Sequence, residues 1–590
     1  MIEARVYRAA FIPALLAVVL AMFSFQSRPR PLPQGLAADV LFDGAQAAQV
    51  ARRIADDHPD RRAGRPGDAA TADLVADSLA RRGFAVERQP FSHAGEQLEN
   101  VIGRRAGASR RQVVIVAARD AGPVPDAPGS AADTAALLEL ARVYEGRPSR
   151  KTLVLASVDG SALGEVGAAR LADELGSPEL VDGVLVMSDL AVAESRGAIV
   201  QAWSNDSRRA GIGLVRTVTE SVRQELGAAP GGTGAAGQLA RLSFPLGIGS
   251  QGVLLEDGFD AVRVSGSGEL PPEGQGPIDA IDQDRLGSLG RAALRTLSAL
   301  DQGRRPEHGP GSYVTAVSQV MPGWVIALLA GTLLLPALVA SVDALARARR
   351  RRMDVLPWLR FAGAWTAPFL AGLAVAEVLA LAGATPVPPP APVAPDLLPL
   401  DGPALMVLGG VGAAMLLALL LARWLAARPD PALRVPDQPG AAVVVALAAS
   451  VCALLLWLVN PYAGLLAVPA AHLWALAVLT SPSRRTRLAM VCAGLLAPVL
   501  VAVYYLFALS LDPLEGAWYL FVLVTGHSVS VPSSLVACLL LGAAGGALEI
   551  AWRTPLEDER AEDEGRPSVY GPGAHAGPGS LGGTGSALRR

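Results

Sequence analysis

Lysine is nearly absent from this chain, occurring once at Lys151, while arginine, alanine, glycine and proline are plentiful. That bias reads as GC-rich bacterial coding and points to no particular activity. Cysteine is scarce as well: Cys452, Cys492 and Cys538 all lie in strongly apolar C-terminal stretches. Their placement excludes a disulfide framework and a thiolate zinc site in the polar part of the chain, and they are read as packing residues. Positive charge is not in excess either, since 51 basic residues face 54 acidic ones for a net charge of −3. The arginines flank apolar segments and make no single basic face, which excludes nucleic acid as a partner.

Long apolar runs, by contrast, abound. With 590 residues, 51% of them hydrophobic, the chain is too long for one ordinary domain and too apolar to be wholly soluble. The reading is a multi-pass protein of a cell membrane, in contact with the lipid bilayer. Residues 1–8 form a short cytoplasmic N-terminus, and 9–25 an apolar run preceded by Arg5 and Arg8. About 17 residues just suffice to cross a core of about 30 Å. No clear small-residue cleavage site follows, so an uncleaved signal anchor is expected, with a removed signal peptide as the alternative. Residues 26–36 read as a linker, 37–302 as an α/β domain, 303–322 as a second linker, 323–552 as a bundle of about seven membrane helices, and 553–590 as a disordered cytoplasmic tail.

Within 37–302 the short apolar runs VVIVAA, TLVLASV and GVLVMSDLA alternate with helix-like stretches such as TADLVADSLARRG and AALLELARVY. Buried strands alternating with helices argue for a mixed, mainly parallel sheet flanked by helices, and for an all-α bundle after it. The arginines orient the bundle. RARRRRMD from Arg347, ARWLAARPDPALR from Ala422 and SPSRRTR from Ser481 alternate with connections at Thr385 and Leu511 that hold no basic residue. Short cytoplasmic loops collect Arg, so the α/β domain is expected outside. Residues 518–525 are apolar but too short to span, and are expected to be re-entrant or interfacial.

Five motifs in the α/β segment carry chemistry or its loss. They are Ala117-Ala118-Arg119-Asp120 after a strand, PGSAADTAALLELAR with Asp133, Asp159-Gly160-Ser161-Ala162-Leu163-Gly164, Asp189 in MSDLA, and Gln251 in GSQGVLLEDGFDAV. In that order they resemble the co-catalytic zinc aminopeptidases of clan MH (peptidase family twenty-eight), and GPIDAIDQDRLGSLGRAALRTLSALD is similar to the family's last helix. The resemblance implies the zinc-aminopeptidase-like fold over 37–302. It also implies ligand positions at Ala118, Asp133, Ala162, Asp189 and Gln251, a supporting Asp120, and a general base at the position of Ser161. Two carboxylates at most survive among those ligands. A carboxylate pair without imidazole is a poor zinc site, so no cofactor is expected unless the resemblance is misaligned.

The preferred expectation is therefore a pseudoenzyme whose cleft binds a peptide, an envelope component or a partner membrane protein. An active zinc aminopeptidase and a transporter-like bundle with an accessory domain are the alternatives. The resemblance extends to membrane-embedded metallopeptidases of the vacuole and endoplasmic reticulum and to the attachment subunit of the GPI transamidase. A calcium site at Asp120, Asp133 and Asp189 is a minor option. Glu165 reads as an exposed first-turn residue of the next helix. In the bundle, Glu377 and His472 are the ionisable residues that could approach one another as a functional pair.

Overall fold

The runs VVIVAA, TLVLASV and GVLVMS have no polar alternation, which is what strands covered on both faces require. They form the middle of a seven-stranded sheet. The computed structural model describes residues 2–33, 38–193, 197–272, 274–316, 318–353, 355, 357–427, 439–480 and 482–553. Its strands are β1 Gln26–Ser27, β2 Ala85–His93, β3 Glu96–Arg105, β4 Ser109–Ala118, β5 Lys151–Val158, β6 Val181–Ser188, β7 Ile199–Gln201, β8 Ala261–Ser265, β9 Tyr313–Ala316 and β10 Gln319–Pro322. The large sheet runs β2-β3-β5-β4-β6-β8-β7. Its four central strands are parallel and both edges are antiparallel.

Before the bundle the helices are α1 Ala4–Ala9, α2 Ile12–Met22, α3 Ala38–Leu41, α4 Gly44–Asp57, α5 Pro66–Arg81, α6 Ala132–Tyr144, α7 Val166–Leu175, α8 Ile212–Leu226, α9 Ala235–Ser243, α10 Ser250–Glu256 and α11 Gln283–Gln302. Helix α6 is buried nearly all round, as its AALLELA run demands. The chain leaves β4 toward one neighbour and reaches β6 on the other side. The carboxyl ends of β4, β5 and β6 therefore meet at a topological switch point, where open α/β sheets form clefts.

The segments read as linkers are partly structured. Gln26 and Ser27 pair with Val320 and Gln319, and β10 pairs with β9, so the residue stretch after α2 is stitched to the entrance of the bundle.

The bundle consists of α12 Gly323–Arg350, α13 Trp358–Leu381, α14 Gly402–Ala427, α15 Pro439–Val459, α16 Pro461–Leu479, α17 Arg484–Ala508, α18 Pro513–Thr525 and α19 Val531–Trp552. Eight helices among the described residues, counting 4–22 as one, are long and apolar enough to cross a membrane. The short apolar stretch at 518–525 is longer than its apolar run: a capping box between Asp512 and Glu515 starts helix α18 at Pro513. The tail beyond Arg553 lies outside the described residues.

Residues of the α/β domain and the segment after it seat on the turns at one end of the bundle. Asn460 Nδ2 donates to Leu242 O at 2.9 Å, Tyr505 OH to Phe244 O at 2.5 Å and Tyr462 OH to Ser312 Oγ at 2.7 Å. Leu246, Ile248 and Leu270 share one apolar cluster with Ala394, Tyr505, Tyr519 and Leu523. At the opposite end Glu549 holds Arg423 and Arg553, each at 2.7 Å. The arginine-rich connections and the α/β domain are thus at opposite ends.

Glu377 and His472 do not meet. Glu377 faces His527 at 3.8 Å. His472 Nε2 lies 2.7 Å from Leu333 O and its Nδ1 2.7 Å from Tyr7 OH. A carbonyl only accepts, so Nε2 carries the proton and Nδ1 accepts from the tyrosine. His472 is instead hydrogen-bonded within the bundle, a bridge that ties α1 to α12 and α16.

Candidate functional site

At the carboxyl ends of β4, β5 and β6 lies a cavity of about 140 Å³. Of the positions singled out in the sequence, Ala118, Asp120, Asp133, Ser161, Ala162 and Asp189 all line it. Gln251 does not. It is fully buried at the start of α10 and its Nε2 donates to Ile248 O at 2.9 Å; its neighbour Ser250 faces the cavity instead. His58 closes α4 and His93 ends β2, and no histidine is among the lining residues.

The surviving carboxylates are engaged with backbone. Asp120 Oδ1 and Oδ2 accept from the amides of Ser161 and Ala162 at 3.0 and 3.1 Å, which fixes the turn after β5. Asp133, in the first turn of α6, accepts from the amides of Asp189 and Leu190 at 2.8 and 3.0 Å. That contact holds Asp189 in a left-handed conformation, φ +57°, and Asp189 Oδ2 accepts from Ser188 and Ser267 hydroxyls at 2.9 and 2.8 Å. Burial pushes Asp120 up to about 6, with Asp159 adding to the effect. Burial, reinforced by Asp189, lifts Asp133 well above the usual carboxylate range.

Two further acids reach the cavity. Asp126 lies in the loop before α6, its Oδ2 accepting from the Ser130 amide at 2.8 Å. Burial raises it, and Asp189 raises it further. Glu165 corrects the sequence reading. Gly160, Gly164 and Glu165 all take positive φ, so the chain doubles back after β5 and swings Glu165 inward. It is 9% exposed, and its Oε2 accepts from Ser250 Oγ at 2.6 Å. Burial moves it up to about 7. Periodicity could not reveal this, because the inward turn comes from three left-handed residues and not from a helix face; the signal available was G-S-A-L-G-E itself.

Positive charge in the cavity comes from Arg263, buried on β8. Its guanidinium donates to Ile248 O at 2.9 Å and Glu269 O at 2.6 Å. Burial lowers its pKa while Asp189, Glu269 and Glu165 oppose that shift. Arg61 supports the opposite wall, donating to Pro125 O at 2.8 Å and Ser130 Oγ at 3.0 Å. Arg119 points away from the cavity. It lies 2.9 Å from Asp68 and 3.1 Å from Asp159, and is completely buried.

A zinc pair does not fit this donor set. Methyl groups stand at Ala118 and Ala162, and no imidazole is among the lining residues. Among the described residues no cluster of three or more His, Cys, Asp or Glu side chains is arranged to hold a metal ion.

No protein-family model and no curated protein matches the chain. Solved structures similar to it include BSAP, a zinc aminopeptidase from Bacillus subtilis, at 14% identity over 45% of this chain and 95% of that one, TM-score 0.35. An Acidobacteriales bacterium glutaminyl cyclase is similar at 15% identity over 47% and 99%, TM-score 0.35. The LapA aminopeptidase of Legionella pneumophila is similar at 12% identity over 45% and 73%, TM-score 0.39.

Proposed function

We propose that this chain is a membrane-anchored binding or scaffolding protein of pseudopeptidase type, with its α/β domain on the outer side of the membrane and its cleft serving recognition. The observation that carries this reading is the use of the cleft's acids as braces. Asp120 and Asp133 accept backbone amides from the turns after β5 and β6, and Ala118 and Ala162 offer no ligand atom. A two-metal hydrolase needs several free ligands converging on a shared water and a base within reach of it. The ligand is a peptide, an envelope component or a partner membrane protein.

The direct test is the metal content of full-length protein purified without added zinc. The expected result is far less than one zinc per chain and no arylamide hydrolysis that chelation abolishes. About two zinc ions per chain, lost together with activity, would overturn the proposal. One observation favours a second reading: Glu165, near neutral pKa and bonded to Ser250, is equipped to exchange a proton. Chelator-resistant hydrolysis that disappears in Glu165→Gln would establish it.

The outward orientation is supported by the arginine-rich connections lying opposite the α/β domain. Packing of Tyr7 and Phe11 on His472, and of Gln26 on Val320, supports retention of the anchor as an eighth helix. The intact mass of the membrane-inserted protein should include residues 4–22; a mature form beginning near Gln26 would contradict it.

A further inference from the structure

The cavity's outer wall is not built by the α/β domain. Val393, Ala394, Asp396 and Leu397, which line it, belong to the connection between α13 and α14. Residues 385–401 of that connection hold proline at seven positions, with Asp396 and Asp401 as their only charges. Such a segment is pre-extended and loses little entropy on lying in a groove.

Two glycines record how closely it is seated. A Cβ on Gly164, whose φ is +92°, would come within 2.5 Å of Pro390 Cδ and 2.9 Å of Pro389 Cβ. A Cβ on Gly122 would come within 2.7 Å of Leu397 Cδ2. From the membrane side α18 holds the segment down, with Tyr519 OH donating to Val393 O at 2.7 Å and Trp518 Nε1 to Leu398 O at 3.1 Å.

We propose that residues 385–401 are a built-in occupant of the cleft, and that the external ligand is an extended, proline-bearing apolar peptide that takes their place. The seat of the loop stands independently of the function proposed above; the class of the competing peptide rests on it. An entering peptide would displace the strap between α13 and α14, so occupancy of the cleft is felt at the outer ends of two membrane helices.

The test measures access to the cavity in the full-length chain. Cys452, Cys492 and Cys538 are replaced by alanine and Ser161→Cys is introduced as a reporter for a bulky maleimide. An Ala228→Cys reporter, on an exposed loop, controls for folding. Replacing residues 385–399 by a Gly/Ser segment of equal length should accelerate labelling of the Ser161→Cys reporter about tenfold or more, with the control unchanged. Leu397→Asp, which keeps the loop, should act in the same direction and serves if the replacement does not fold. Equal labelling rates with the loop intact and disrupted would overturn the proposal. A synthetic peptide of residues 385–401, added to the loop-replaced chain, should slow labelling again. Faster labelling that the peptide leaves unaffected would retain the seat and overturn the peptide class alone.

Discussion

Arg119→Met is expected to destabilise the α/β domain by about 3–5 kcal/mol, the cost of leaving buried charge without its partner. Arg119 is the cation shared by Asp68 and Asp159, and its guanidinium also donates to Glu99 O at 2.5 Å and Ser157 O at 3.3 Å. Burial drives Asp68 up to about 8 even against the opposing pull of Arg119, so it is mostly protonated near neutral pH and removal of the cation leaves Asp159 as the buried acid without its partner. The loss falls on the β3–β5 pairing and on the turn that begins at Asp159. Amide exchange of β3, β4 and β5 in the detergent-solubilised chain reads it, since a multidomain protein has no single unfolding free energy. Adding Asp68→Asn and Asp159→Asn to Arg119→Met should recover most of the protection. A single substitution that leaves exchange unchanged would show that the cluster is solvated.

The second large effect depends on pH. Glu165 sits at about 7 against a reference of 4.5 because of burial. The folded state therefore binds more protons than the unfolded one between those values, and stability falls as pH rises from about 4.5 to 7. Above that window the full penalty applies, of order 3 kcal/mol at 1.36 kcal/mol per unit. Glu165→Gln removes the penalty and keeps a hydrogen-bond acceptor for Ser250. Relative to wild type it should raise amide-exchange protection of the α/β domain at pH 8 and change it little at pH 4.5. Asp120, Asp126 and Asp133 are shifted in the same direction, so the stability of the wild-type domain should itself fall on the alkaline side. An equal effect of Glu165→Gln at both pH values would mean that the carboxylate is solvated in the folded chain.

Much of this architecture is legible in the residues. Apolar run length places the membrane helices within a few residues, because crossing a bilayer imposes one length on every helix. The central strands are equally plain, since a sheet covered on both faces tolerates no polar alternation. What escapes is whatever depends on a few backbone angles. Glu165 is turned inward by left-handed backbone at Gly160, Gly164 and Glu165 itself, and Asp126 reaches the cavity from a loop at φ +44°. Neither conformation leaves a periodic trace. Gln251 stands beside the cavity, since the register of α10 turns Ser250 toward it, and sequence spacing does not resolve that register. Helix α18 was readable in part: D-P-L-E is a capping box, and it would have extended the short apolar stretch to its true start.

The shared apolar cluster of Leu246, Ile248 and Leu270 with Ala394, Tyr505, Tyr519 and Leu523 imposes an order on biogenesis. Chains are made N-terminus first, so the α/β domain, complete by residue 302, is synthesised before the loop at 385–401 that covers its cleft and longer still before α18. Through that interval its membrane-facing side is an uncovered greasy surface beside an acid-lined hollow. That surface is covered only once residue 525 is in place, so a fragment that ends before the bundle is expected to expose Leu246, Ile248 and Leu270.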